Sequence, residues 1–213
     1  MARMKLKRFA EVETFENVLQ WTKKDTKKKI EQEIKKYDKR ILELACGKGE
    51  YTIALAKINP NNIYIGVDIQ GERLWRGSKI ATEEKLSNVY FLRSPIDVLD
   101  NYIPKKSIDE IWITFPDPFL KERFARKRLT SEKFLKIYKK ILKRNAVINL
   151  KTDSKELFEF TLKTVSECKG EIIKNIWDIY SKKNIKEELE IKTTFENKHL
   201  KNNKKIGYIQ FRV

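Results

Sequence analysis

The chain has 213 residues, 40% of them hydrophobic, which is long enough for one full domain with small extensions and apolar enough to bury a core. Its 47 basic and 30 acidic residues leave a net charge of +17, which invites a polyanion, with nucleic acid the expected macromolecular partner. No apolar run of about 18 residues occurs, the N-terminus lacks a secretion signal, and two cysteines (Cys46, Cys168) with one histidine (His199) make neither a disulfide framework nor a histidine-rich metal site, so a soluble cytoplasmic protein without metal is expected.

Residues 1–38 read as a basic N-terminal extension, packed on or flanking the domain formed by residues 39–213. "RMKLKRF" (Arg3–Phe9) is cationic with interleaved apolar groups. "TKKDTKKKIEQEIKKYDKR" (Thr22–Arg40) reads as solvated helix or loop, a solubilising face or a weak substrate-facing arm. The pattern then changes. "RILELA" (Arg40–Ala45) predicts a strand, "YTIALAKI" (Tyr51–Ile58) a helix, "NIYIGVD" (Asn62–Asp68) a strand and "GERLWRGSKIATEEK" (Gly71–Lys85) a helix. "NVYFL" (Asn88–Leu92) and "SIDEIWITF" (Ser107–Phe115) predict strands. "TSEKFLKIYKKIL" (Thr130–Leu142) predicts a helix capped by Thr or Ser ahead of Glu132. "AVINLKT" (Ala146–Thr152) predicts a strand, "SKELFEFTLKTVSEC" (Ser154–Cys168) a helix, and "EIIKNIW" with "KIGYIQFRV" two further strands. This alternation implies a doubly wound α/β fold, Rossmann-like, with a mostly parallel sheet covered on both faces and an antiparallel C-terminal strand at its edge. Residues 180–203 carry no clear pattern.

"ELACGKGEY" follows the first predicted strand of this series. Gly47 and Gly49 let the backbone turn tightly and approach a ligand. Asp68 closes the next strand, where a carboxylate can accept both hydroxyls of a ribose. The third glycine of a dinucleotide cradle is absent, and Glu43 at the strand end would repel a pyrophosphate. Two carboxylates suit a cationic cofactor, so S-adenosylmethionine is preferred over NAD.

In "ITFPDPFLKERFARKRL", Pro116 and Pro118 restrict the backbone around Asp117. Lys121, Arg123, Arg126, Lys127 and Arg128 follow, a density of charge suited to a phosphate backbone. Arginine is the informative residue here, because the chain has only 11 beside 36 lysines, and three of them fall within six positions. Asp153 ends a strand beside the same crevice.

Taken together, "ELACGKGEY", "YIGVDI", "FPDPFLKERFARKRLT", "NLKTDSKELFE" and "TTFE" closely resemble the bacterial tRNA (guanine-N7)-methyltransferases, from about Arg3 to the C-terminus. The resemblance implies a class I methyltransferase that transfers a methyl group from S-adenosylmethionine to N7 of guanosine 46 in the tRNA variable loop. It implies cofactor contacts at Glu43, Gly47, Gly49, Asp68, Pro95 and Asp117, with Asp117 in the active site. It associates Lys121, Arg123, Arg126, Lys127 and Arg128 with RNA, and Asp153, Thr193 and Glu196 with the substrate guanosine. From the residues alone, Thr193 and Glu196 read as helix-cap positions. The sequence departs from the pattern at Ala45, Phe119, Glu122 and Phe124. Pro95 stands where a polar residue near the adenine is usual, with Ser94, Asp97 or a backbone carbonyl as stand-ins. No obligatory protein partner and no membrane are expected, and a monomer or homodimer is. Three other readings stand beside this one: methylation of another nucleic acid or a small molecule, an NAD enzyme, and a non-catalytic RNA-binding protein.

Overall fold

The computed structural model describes residues 2–213, with side chains from Lys5 onward; the side chain of Arg3 lies outside the described residues. In chain order the elements are α1 (Ala2–Val12), β1 (Val18–Gln20), α2 (Thr26–Ile34), β2 (Arg40–Leu44), α3 (Glu50–Ile58), β3 (Ile63–Asp68), α4 (Gly71–Glu83), β4 (Val89–Arg93) and β5 (Ile108–Thr114). There follow α5 (Glu132–Ile141), β6 (Leu142–Thr152), α6 (Lys155–Glu167), β7 (Glu171–Ile176), α7 (Glu187–Glu190), α8 (Thr194–Lys201) and β8 (Gly207–Arg212). Short 3-10 turns occupy Ile96–Asn101, Glu122–Lys127 and Ile179–Ser181.

Eight strands form one sheet in the order β1-β4-β3-β2-β5-β6-β8-β7. Pairing is parallel from β1 through β6, and β8 runs antiparallel to both neighbours. Strand alternation divides the core between the two faces. Leu42, Leu44, Ile111, Ile113, Ile148 and Leu150 pack on one side. Ile41, Tyr64, Trp112 and Tyr208 pack on the other. From β2 the chain winds outward through β3 and β4, then returns to place β5 on the opposite flank of β2. That reversal is where a doubly wound sheet opens a crevice beyond its strand tips.

Three details differ from the sequence reading. The basic N-terminal segment contributes a strand: β1 pairs with β4 and buries Leu19, while α1 packs on α4. The C-terminal strand β8 is antiparallel as expected but is not the edge strand: it inserts between β6 and β7, which leaves β7 at the edge, and α7 and α8 lie between β7 and β8 in the chain. α5 begins at Glu132 without a side-chain cap; the Ser131 hydroxyl donates instead to the Arg126 carbonyl at 3.1 Å.

Candidate active site

The tip of β2 turns through three residues of positive φ: Ala45 (54°), Gly47 (56°) and Gly49 (69°). A Cβ on Gly49 would sit 2.5 Å from the Phe91 ring, whereas one on Gly47 would meet nothing within 4 Å. Glycine at 49 is thus required by packing, and Gly47 faces open space. Ala45 holds the left-handed backbone with a methyl group present, which costs about 1–2 kcal/mol. Asp68 at the tip of β3 fastens this turn, accepting from Gly47 N–H at 3.0 Å and Gln70 N–H at 2.8 Å.

Glu43 is buried behind the turn. One oxygen accepts from the Thr52 N–H at 2.8 Å and from the Thr52 hydroxyl; the other accepts from the Thr114 hydroxyl at 2.7 Å. Burial pushes its pKa up to about 7, and the threonine hydrogen bonds pull against that rise. The expectation of a free carboxylate facing a cation is therefore refined: Glu43 still borders the cavity, but its oxygens are engaged by the protein.

Beyond β5, Phe115 (49°) and Phe119 (42°) also take positive φ, so the backbone is strained on both sides of Pro116–Pro118. Asp117 is exposed and its carboxylate accepts from the Phe119 N–H at 2.9 Å. Arg128 corrects the sequence reading, which put it on a phosphate track. Its residue is 5% exposed, and its guanidinium donates to the carbonyls of Pro118 and Phe119, each at 3.0 Å. It also lies over the Phe160 ring, 4.3 Å from the centroid. Arg128 is an internal brace for the strained loop. Lys121, Arg123, Arg126 and Lys127 remain exposed, and Arg123 and Lys127 both lie 4.9 Å from the Phe124 ring centroid.

These elements enclose a cleft of two compartments that share Ala45, Arg73 and Phe115. The larger, about 620 Å³, brings together Asp68, Ser94, Pro95, Asp117, Phe119 and Lys127. The other, about 530 Å³, is bordered by Glu43, Gly47, Thr114, Thr193, Phe195 and Lys198. Residues 49 positions apart, Asp68 and Asp117, thus share one cavity. Pro95 lines it as expected. Of its proposed stand-ins, Asp97 is ion-paired with Lys133 and the Ser94 hydroxyl donates to the Pro95 carbonyl at 2.9 Å.

The wall made by residues 193–198 differs most from expectation. Glu196 is fully buried rather than directed at a substrate. It pairs with Lys151 at 2.9 Å and accepts from the Tyr180 hydroxyl at 2.7 Å. Lys151 also donates to the carbonyls of Leu189 (3.2 Å) and Ile191 (3.0 Å). Burial lowers the Lys151 pKa, and Glu196 opposes that shift. Thr193 caps α8, accepting from the Glu196 N–H at 3.1 Å, while also bordering the cleft. Asp153 borders neither compartment; it pairs with Lys204 at 2.8 Å and lies 3.2 Å from His199. Glu50 holds the start of α8 through the N–H and hydroxyl of Thr194, at 2.6 and 2.7 Å.

Lys151, Thr52, Thr114 and Phe195 were absent from the residues singled out in the sequence. Lys151 alone left a signal, a single charge inside the apolar strand "AVINLKT". Among the described residues no three His, Cys, Asp or Glu side chains are grouped so as to hold a metal ion. Among the described residues no helix is long and apolar enough to cross a membrane.

A family model described as "Putative methyltransferase" matches residues 37–208. The tRNA (guanine-N(7)-)-methyltransferase of Christiangramia forsetii is 42% identical, covering 100% of this chain and 99% of that protein. The protein of the same name from Cytophaga hutchinsonii is 36% identical over 99% of this chain and 98% of its own length. Among solved structures, the 16S rRNA methyltransferase KamB superposes with a TM-score of 0.68 at 14% identity, over 87% of this chain and 93% of its own. A SAM-dependent methyltransferase from Aquifex aeolicus gives 0.59 at 15% identity, over 89% and 90%. Both share the Rossmann-like class I fold.

Proposed function

The chain belongs to the tRNA (guanine-N7)-methyltransferases, S-adenosylmethionine-dependent enzymes, and on that premise we propose that its two-compartment cleft methylates N7 of guanosine 46 in the variable loop of tRNA. The observation that carries the reading is the cavity common to Asp68 and Asp117.

The residues fit S-adenosylmethionine. Gly47 leaves open space at the β2 turn, Asp68 stands at the β3 tip for a ribose, and no third glycine prepares the loop for a pyrophosphate. Gly47, Asp68 and Pro95 would hold the cofactor, with Gly49, which borders neither compartment, shaping the turn against Phe91 and Glu43 adding negative potential from behind Thr52 and Thr114. When bound, it supplies an electrophilic methyl group on a sulfonium.

Guanine N7 carries an exposed lone pair, so no side chain need remove a proton before attack. The protein's work is orientation. The Asp117 carboxylate can accept from guanine N1–H and the exocyclic amine, turning N7 inward. Its negative charge also favours the purine as that ring gains positive charge. Arg128 and the two prolines keep the carboxylate in place by fixing the backbone that carries it. Lys121, Arg123, Arg126 and Lys127 offer charge to the flanking phosphates. The base must leave its stack to reach the cavity, as in other enzymes that act on a base. Such a reaction belongs in the cytoplasm.

Unmodified tRNA incubated with methyl-labelled S-adenosylmethionine, followed by nucleoside mapping, tests this. Label at N7 of guanosine 46 is expected. Label elsewhere, or bound RNA with no transfer, would refute the proposed reaction.

A further inference from the structure

α5 turns Phe134, Leu135, Ile137, Tyr138 and Ile141 into the core. Its exposed residues are Lys133, Lys136, Lys139 and Lys140, with Glu132 the only acid among them. Four residues, 128–131, separate the end of the basic turn at Glu122–Lys127 from the start of the helix. Arg126 joins Lys133, Lys136 and Lys140 along one groove of about 510 Å³. Past the other end of α5, Lys106, Lys139, Lys143 and Arg144 border a second groove of about 550 Å³.

A lysine-rich composition does not account for this stripe. α6 exposes Lys155 and Lys163 against Glu156, Glu159 and Glu167, with its lysines in register with acids four residues on. On α6 acids outnumber bases; on α5 bases outnumber acids fourfold. Four of the stripe's lysines do have carboxylate partners, Asp97, Asp100, Asp109 and Glu132, but these are solvent-accessible pairs, individually weak and open to competition by phosphate. Among the described residues, Arg126, Lys139 and Arg144 form no ion pair.

We infer that this face is a second RNA contact, a phosphate track that leaves the cleft at Lys133, which borders both the cleft and the Arg126 groove, follows α5 and ends at Arg144. It rests on the proposed tRNA substrate and adds the direction in which that substrate lies. α5 carries the track for about 15 Å. Along β6, Arg144 stands about 26 Å from Thr152 at the cleft end of the sheet. The far end therefore grips backbone remote from the reacting base, which a folded tRNA can supply and a short loop cannot.

The test compares two exposed pairs with the same change in charge: Lys139→Glu with Arg144→Glu, and Lys155→Glu with Lys163→Glu on α6. Binding of an unmodified tRNA transcript is measured across a salt series, without cofactor. The α5 pair is expected to weaken binding about tenfold or more at low salt and to flatten the log–log salt slope by about 2, while the α6 pair changes little. If the α5 pair binds as tightly as the α6 pair, or keeps the wild-type slope, the track does not exist. Because the readout is binding, it stays separate from failure of the methylation assay, which would show as wild-type chain that holds tRNA but transfers no label.

Discussion

The ammonium of Lys151 and the carboxylate of Glu196 meet at 2.9 Å with neither side chain exposed. Lys151 also accepts, through its carbonyl, the Phe115 N–H at 2.8 Å. One strand residue thus holds both the α8 wall of the cleft and the first residue of the Asp117 loop.

Removing one member of this pair strands a buried charge. Glu196→Ala should cost about 3–5 kcal/mol in urea unfolding. Replacing both, Lys151→Met with Glu196→Leu, should recover much of that loss, since no unpaired charge remains. A double variant no more stable than the single would show that the pair is not what Glu196 contributes.

Arg128 and its neighbours in the sequence should separate cleanly. Arg128→Lys removes the fork that spans two carbonyls, so turnover should fall by tenfold or more through a misplaced Asp117. Its tRNA affinity should keep the wild-type salt slope. Arg123→Gln with Arg126→Gln should do the reverse, weakening binding and reducing the slope by about 2. A lowered slope in Arg128→Lys would return that residue to the phosphate contacts.

Stability should depend on the pH through Glu43. Its pKa lies near 7 in the folded chain, against an ordinary value of 4.5. Between those values the folded state binds the extra proton, so the contribution of this group to stability is full below pH 4.5 and is lost as pH rises through 7, by roughly 3 kcal/mol. Glu43→Gln should flatten the profile over that window and unfold at higher denaturant than wild type at pH 8. An identical pH profile for the two chains would remove Glu43 as the source.

Gly49→Ala combines a strained backbone with a methyl group driven into Phe91. A loss of roughly 2–5 kcal/mol is expected, with cofactor binding lost in parallel by calorimetry. A variant of wild-type stability would mean that the turn can relax at no cost.

What could be read from the sequence was whatever repeats locally. β2 through β6 announce themselves as apolar runs broken by helical spacing, and Asp68 and Asp117 stand out as single carboxylates at strand exits. β1 is invisible because three residues cannot show an alternation, and it contributes one buried apolar side chain, Leu19. The run Lys121–Arg128 shows its charge but not which member turns inward, since burial of Arg128 depends on carbonyls ten residues back and a ring at Phe160. The burial of Glu196 on α8 is hidden for the same reason: its partner, Lys151, sits 45 positions earlier on β6.

The placement of β8 between β6 and β7 has a consequence for the nascent protein. β7 touches the sheet only through β8, so residues 171–176 leave the ribosome with no neighbour to bond to. Until residues 207–212 are made, both β6 and β7 present open edges capable of pairing with another chain. A premature stop before Gly207 would therefore sacrifice two strands for the loss of one, and leave a product prone to aggregate.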